Sequence, residues 1–155
     1  MKRYALILTL VMALAAGFGC AKKTTTEPGY DDGMSPEMRA AIQQISDSRV
    51  YFAFNKYNIE NQSDAVLKKE AEILKQFPAI RVRIEGNCDD RGTQEYNLAL
   101  GERRARAAYE YLEQNGVNPS QLEMISYGKE NPAVLGTGEA VWAKNRRDDF
   151  RVIAH

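Results

Sequence analysis

The sequence predicts an α/β protein, a single sheet with helices packed on it, in the order β-α-β-α-β-(α)-β. Two periodicities carry this. Short stretches alternate apolar with polar residues and read as strands, whereas longer ones repeat apolar residues every three or four positions and read as helices. The two kinds take turns along about a hundred residues without an internal repeat, which implies one domain rather than two. The composition permits it: 44% of the 155 residues are hydrophobic and 27% charged, enough for one core with length left over.

The chain begins Met1-Lys2-Arg3 and then has no charged residue through Cys20, with Leu6, Ile7, Leu8, Leu10, Val11, Met12 and Leu14 in an apolar run. A basic start and a short apolar stretch read as a secretory signal over residues 1–19. Ala15, Ala16, Gly17 and Gly19 lead into Cys20, which resembles the lipobox of bacterial lipoproteins, although that motif usually has Leu where Gly17 stands. The resemblance implies a lipid on Cys20 and, with Ala21 next, delivery to the outer membrane. A plain signal peptide cut nearby would leave Cys20 as an ordinary thiol, able to pair with Cys88. Residues 21–33 hold Lys22, Lys23, three threonines, Pro28, Gly29, Asp31 and Asp32, too polar to order themselves, and read as a tether.

Ser35-Pro36-Glu37 then has the form of an N-cap, a proline at the first helical position and an acid in the first turn, and Met38, Ile42 and Ile45 give a short helix one apolar face. Residues 20–47 thus form the anchor, tether and docking helix, and 48–155 the domain. Residues 50–54 alternate as a first strand. Asn61 or Ser63 is expected to cap a helix with Leu67, Ala71 and Leu74 on its inner face, ended by Pro78. Residues 80–85 form a second strand, 86–92 a polar turn, and about 93–114 a long helix closed by Asn115-Gly116. Residues 122–127 make a third strand, 128–138 a loop, 139–144 a helical turn or two, and 150–154 a fourth strand.

Charge and histidine content narrow the function. Lysine plus arginine and aspartate plus glutamate both total 21, and a net charge of zero argues against general nucleic-acid binding. Without residues 1–19 the chain loses Lys2 and Arg3 and no acid, so it becomes mildly acidic. The single histidine is His155, the last residue, which argues against an imidazole-based catalytic site in a packed cleft. No cofactor and no catalytic residue are expected. Asp89 and Asp90 near Glu85 and Glu95 raise the thought of a glycoside hydrolase, but neighbours in one turn do not flank a bond.

The informative segment runs from Glu85 to Ala105: a strand end, a glycine-bounded polar turn and the start of a helix, where ligands collect in α/β folds. Asn97, Gly101 and Arg104 lie at i, i+4 and i+7 on one helical stripe, with Leu100 beside them. Gly101 in mid-helix costs about 0.8–1 kcal/mol against alanine, so a close approach by backbone or ligand is expected there. Asp89 and Arg104 could face each other across a small cleft and match a zwitterion, the acid receiving an ammonium and the guanidinium a carboxylate. Spacing alone favours instead an Asp89 that caps the helix region and an Arg104 that pairs with Glu102 or solvent.

The run Glu85-Gly86-x-x-Asp89-x-x-Gly92-Thr93-x-x-Tyr96-Asn97-x-x-Leu100-Gly101-Glu102-Arg103-Arg104-Ala105 closely resembles the signature of the OmpA-like peptidoglycan-binding domain. Val50-Tyr51-Phe52-x-Phe54, Ser126-Tyr127-Gly128-Lys129-Glu130-x-Pro132 and Asn145-Arg146-Arg147 extend the match over about residues 48–153. The resemblance implies an α+β sandwich with one mixed sheet and non-covalent binding of the diaminopimelate side chain of peptidoglycan. It gives Asp89 the amine, Arg104 the carboxylate, Asn97 a supporting role, Phe54 and Leu100 the apolar walls, and Asn55 and Arg147 the closing positions. It also implies docking of TolB and other Tol proteins. Phe54 and Leu100 could equally be core, and Arg147 a surface charge. The chain departs from the family at Asn87, usually histidine, at Asn55 and Asn58, often aspartate, and at Cys88, usually alanine or threonine. Asp148-Asp149 makes an unusually acidic start to the last strand.

Overall fold

The computed structural model describes residues 33–155; the expected signal, the expected lipidation site Cys20 and most of the expected tether lie outside them. The elements are α1 (Pro36–Asp47), β1 (Arg49–Tyr51), α2 (Asn61–Gln76), β2 (Arg81–Asn87), α3 (Gln94–Gln114), β3 (Leu122–Gly128), α4 (Glu139–Asn145) and β4 (Arg147–Ala154), with a single 3₁₀ turn at Pro119–Gln121. The four strands form one mixed sheet in the order β1-β4-β2-β3. β2 and β3 run parallel with α3 as their crossover, and β4 lies between β1 and β2, antiparallel to both.

One face of the sheet is apolar. Val82, Ile84 and Phe150 point into a core completed by Leu67, Ala71 and Leu74 of α2, Ala105, Ala108 and Leu112 of α3, and Ala41 and Ile45 of α1. The intervening residues of the same strands form a charged face, on which Asp149 pairs with Arg49 at 2.7 Å and Arg147 at 2.8 Å, and Glu85 with Arg83 at 3.0 Å. Period two thus separates core from solvent along each strand.

The ends of the elements follow local chemistry. Ser35 caps α1 by accepting from Met38 N, and Thr93 caps α3 by accepting from Tyr96 N. α3 closes at Asn115, with Val117 N donating back to Leu112 O at 3.1 Å. α2 departs from expectation: Glu60 is its N-cap and offers no side-chain bond, Asn61 is already helical, and the Ser63 hydroxyl donates to Tyr51 O instead. β1 stops at Tyr51 rather than running to Phe54, because the chain turns at Ala53–Lys56 with Asn55 at φ 56°. β2 continues to Asn87, two residues into the expected turn, and β4 begins at Arg147, three residues before the expected Phe150.

Candidate functional site

The end of β2 meets α3 closely enough to exclude side chains: a Cβ on Gly101 would lie 2.3 Å from Ser126 Oγ and 2.9 Å from Gly86 O. The approach expected at Gly101 is therefore made by the Gly86 backbone together with the Ser126 hydroxyl. Beside this contact, at the carboxyl end of β2, opens a cleft of about 200 Å³. Four segments line it: Phe54 and Asn55 before α2, Cys88, Asp89, Arg91 and Gly92 after β2, Tyr96, Asn97, Leu100 and Arg104 on α3, and Arg146 after α4.

Six of the seven residues singled out in the sequence line this cleft; Arg147 does not. Arg147 lies on the charged face of the sheet, bound to Asp149, and Arg146 takes the place at the cleft. Strand parity is the reason. Phe150 faces the core, so Asp148 does too and Arg147 must face away. Arg146 donates from Nε to Phe52 O at 3.0 Å and reaches Asp89 Oδ2 at 3.3 Å and Glu139 Oε1 at 2.5 Å.

Arg104 is fully buried, and its partner is neither Glu102 nor solvent. Nε donates to Lys56 O at 2.9 Å, Nη1 to Asn87 O at 2.9 Å and toward Cys88 Sγ at 3.4 Å, and Nη2 to Ala53 O at 3.4 Å. Four of its five N–H groups are thus engaged, which leaves one on Nη2 rather than the parallel pair of a bidentate grip. Asn97 is buried, and its Nδ2 donates to Arg91 O at 2.8 Å and Thr93 O at 3.0 Å, so it shapes the turn that carries Asp89. Phe54 is 57% exposed and Leu100 7%, so the first is rim and the second a wall. Asn55 accepts from the Tyr96 hydroxyl across the mouth.

Residues 51–146 match the OmpA family model. The chain belongs to the OmpA family. It is 51% identical over 133 residues to the peptidoglycan-associated lipoprotein of Haemophilus influenzae, covering 86% of this chain and 80% of that one. The peptidoglycan-associated lipoprotein of Pasteurella multocida is 45% identical over 136 residues, 88% of each. Among solved structures, the peptidoglycan-associated lipoprotein of Burkholderia pseudomallei superposes with a TM-score of 0.68 at 45% identity, covering 70% of this chain and 92% of its own. The C-terminal domain of MotB from Helicobacter pylori, at 24% identity and a TM-score of 0.65 over 70% of this chain and 85% of its own, shares the fold.

The electrostatics of this OmpA-family cleft follow from its burial. Burial alone would raise the pKa of Asp89, but hydrogen bonds from the side chain and backbone of Arg91 and from Arg146 outweigh it and hold the carboxyl below its ordinary range. Cys88 is the opposite case: burial pushes its thiol up to about 11, partly opposed by Arg104, so the sulfur stays protonated and donates to Asn97 O at 3.4 Å. Burial likewise draws Arg104 below its ordinary value. Asn87 does not face the cleft; its side chain ties Glu85 O, Asp149 and Asn131 together on the far face of β2. Asn145 holds the loop before α4 through reciprocal bonds with the backbone of Val134, at 3.0 and 2.9 Å.

Five lining residues have no place in the site read from the sequence, Cys88, Arg91, Gly92, Tyr96 and Arg146, and two of them, Arg91 and Arg146, hold Asp89. Arg146 was within reach of parity counting from Phe150. Arg91 had no local signal, since what places it is tertiary: its guanidinium stacks on the rings of Phe54 and Trp142, each centroid 4.0 Å away.

Proposed function

We propose that this chain is a lipid-anchored outer-membrane protein that binds peptidoglycan without covalent chemistry, through the zwitterionic end of diaminopimelate. It would thereby clip the outer membrane to the cell wall as part of the Tol-Pal system in envelope integrity and cell division. The observation that carries this reading is an ionised Asp89, 5% exposed, in one small cleft with Arg104. The acid accepts from the ligand ammonium, and the remaining Nη2 hydrogen of Arg104 donates to its carboxylate. Leu100 and Phe54 flank the aliphatic chain, Asn97 holds the turn, and Asn55 with Tyr96 closes one side of the mouth. Arg146 keeps Asp89 in place. Cys20 carries the lipid, and residues 21–33 span from membrane to domain. The relatives' shared name, peptidoglycan-associated lipoprotein, supports the wall as the target.

Sedimentation with purified sacculi tests it. Asp89→Asn and Arg104→Ala, both checked for folding by thermal melt, are expected to stay in the supernatant while the wild type pellets. Pelleting of both folded variants like wild type would refute the site.

A second reading makes the chain mainly a docking module for TolB and other Tol proteins. The exposed aromatic residues at the cleft side of the domain favour it: Phe54, Tyr57 and Tyr96 are each about half exposed, as anchors at protein interfaces often are before binding. Competition between a diaminopimelate muropeptide and the Tol partner for the chain would show whether both use this surface.

A further inference from the structure

The carboxylate proposed above to receive the ligand ammonium already holds a cation. Arg91 Nη2 lies 2.5 Å from Asp89 Oδ2, its Nε 3.3 Å from Oδ1, and its backbone N–H donates to Oδ1 at 3.2 Å. The second guanidinium on Asp89, from Arg146, is differently placed. Its side chain is 6% exposed, and its Nε is tied to Phe52 O. Arg91 is 31% exposed at the cleft wall, and apart from Asp89 its guanidinium is held by two aromatic faces, those of Phe54 and Trp142. A second acid lies nearby, holding Arg146 with one oxygen and facing Arg91 with the other: Glu139 Oε1 is 2.5 Å from Arg146 Nη2, and Oε2 is 4.0 Å from Arg91 Nη2.

We infer that Arg91 is the gate and the affinity-setting residue of this cleft: its guanidinium occupies Asp89 until an incoming ammonium replaces it, whereupon Arg91 passes to Glu139. The inference rests on the ligand reading above and adds to it an internal competitor. Exchange of one cation for another leaves the buried carboxylate paired throughout, so the large cost of an uncompensated charge never arises. A neutral or purely anionic ligand offers Asp89 nothing in return for Arg91, so the gate selects for an amine. Arg146, fixed by its backbone bond, keeps the carboxylate aimed while the exchange takes place. Binding is then weakened by the fraction of time Arg91 spends on Asp89, as for any site competent in only part of its population.

Trp142 is the only tryptophan of the chain, and Arg91 lies on its ring, so its fluorescence reports the position of the guanidinium. The experiment uses the full chain in detergent and a soluble stem tripeptide ending in meso-diaminopimelate, with binding measured by calorimetry and tryptophan emission followed in parallel. Arg91→Ala and Arg91→Gln are expected to bind roughly three- to tenfold more tightly than wild type, the gain being the closed population released. Saturating peptide should shift the emission of the wild type and leave that of both variants unchanged. Asp89→Asn should abolish binding with or without Arg91. If the wild type binds while both Arg91 variants bind equally well or more weakly, the gate is overturned and the ligand reading stands. If neither wild type nor the Arg91 variants bind the peptide, both fall.

Discussion

Gly86 and Gly101 touch through their backbones: a Cβ added to Gly86 would sit 2.0 Å from the Gly101 carbonyl oxygen. No rotamer relieves such a contact, since both atoms belong to main chain. Gly86→Ala therefore separates β2 from α3 and should cost upwards of about 3 kcal/mol, the upper end for overpacking. Gly101→Ala meets mainly the Ser126 hydroxyl, and alanine recovers about 1 kcal/mol of helix propensity, so its loss should be smaller. Urea unfolding of both variants and of the double variant Gly101→Ala with Ser126→Ala checks the order, the double variant being expected to recover part of the loss.

Arg104 carries as much structure as chemistry. Its guanidinium joins the connection after β1, through Ala53 and Lys56, to the end of β2, through Asn87. Arg104→Lys offers three rotatable donors in place of a planar fork and should lose about 1–3 kcal/mol of stability even without ligand. Thermal denaturation of the ligand-free variant measures this, and any further loss of wall binding must be judged against it.

Glu70 faces inward from α2, 1% exposed, with no hydrogen-bond partner on either oxygen among the described residues. Burial lifts its carboxyl to about 7, offset only in part by Ser48 and Arg49. The folded state thus binds a proton more tightly than the unfolded chain does, so stability is greatest below the ordinary glutamate value and falls as pH rises through about 7. Glu70→Gln should remove that slope and stabilise the domain above neutrality by about 2–3 kcal/mol. Unfolding curves between pH 5 and about 8.5, read for wild type and variant together, test the sign.

Gln121 is also buried, and the N–H groups of its amide are used. Its Nε2 donates to Leu74 O at 3.0 Å, Phe77 O at 3.3 Å and Ile80 O at 2.9 Å, closing the end of α2 onto the start of β2. Gln121→Ala strands those carbonyls and should cost about 1–3 kcal/mol. Hydrogen exchange should show the loss concentrated at the α2 terminus.

The mixed sheet came only with the family resemblance, whereas the strand and helix order, the N-cap of α1 and the closure of α3 were legible because each rests on a local periodicity or a cap residue. The same holds for the stripe of Asn97, Gly101 and Arg104, which a helical count brings together. What local patterns missed is tertiary in origin. Nothing near Arg91 announces that Phe54 and Trp142 will meet it. Nothing near Gln121 announces three carbonyls from another segment. The early start of β4 was hidden by its charges: Arg147 and Asp149 sit in a strand with Asp149 paired to both Arg147 and, across the ladder, Arg49 on the charged face. Asp148 is stranger still, for it points into the interior with both oxygens unpaired among the described residues, and burial raises its carboxyl well above the usual range despite Arg104 nearby.

The position of β4 between β1 and β2 also dictates when the molecule can finish folding. Glu85 pairs with Asp149, and Val50 with Asp148, so the middle of the sheet waits for the last residues of the chain. A polypeptide emerging N-terminus first, from a ribosome or through a membrane pore, has both flanking strands before the one that must join them. Closure of these long loops is slow relative to local helix formation. The cleft is late for the same reason, since Arg146 reaches Asp89 only as that final segment docks. Emergence of Arg146 and β4 thus sets the earliest moment at which the site can exist.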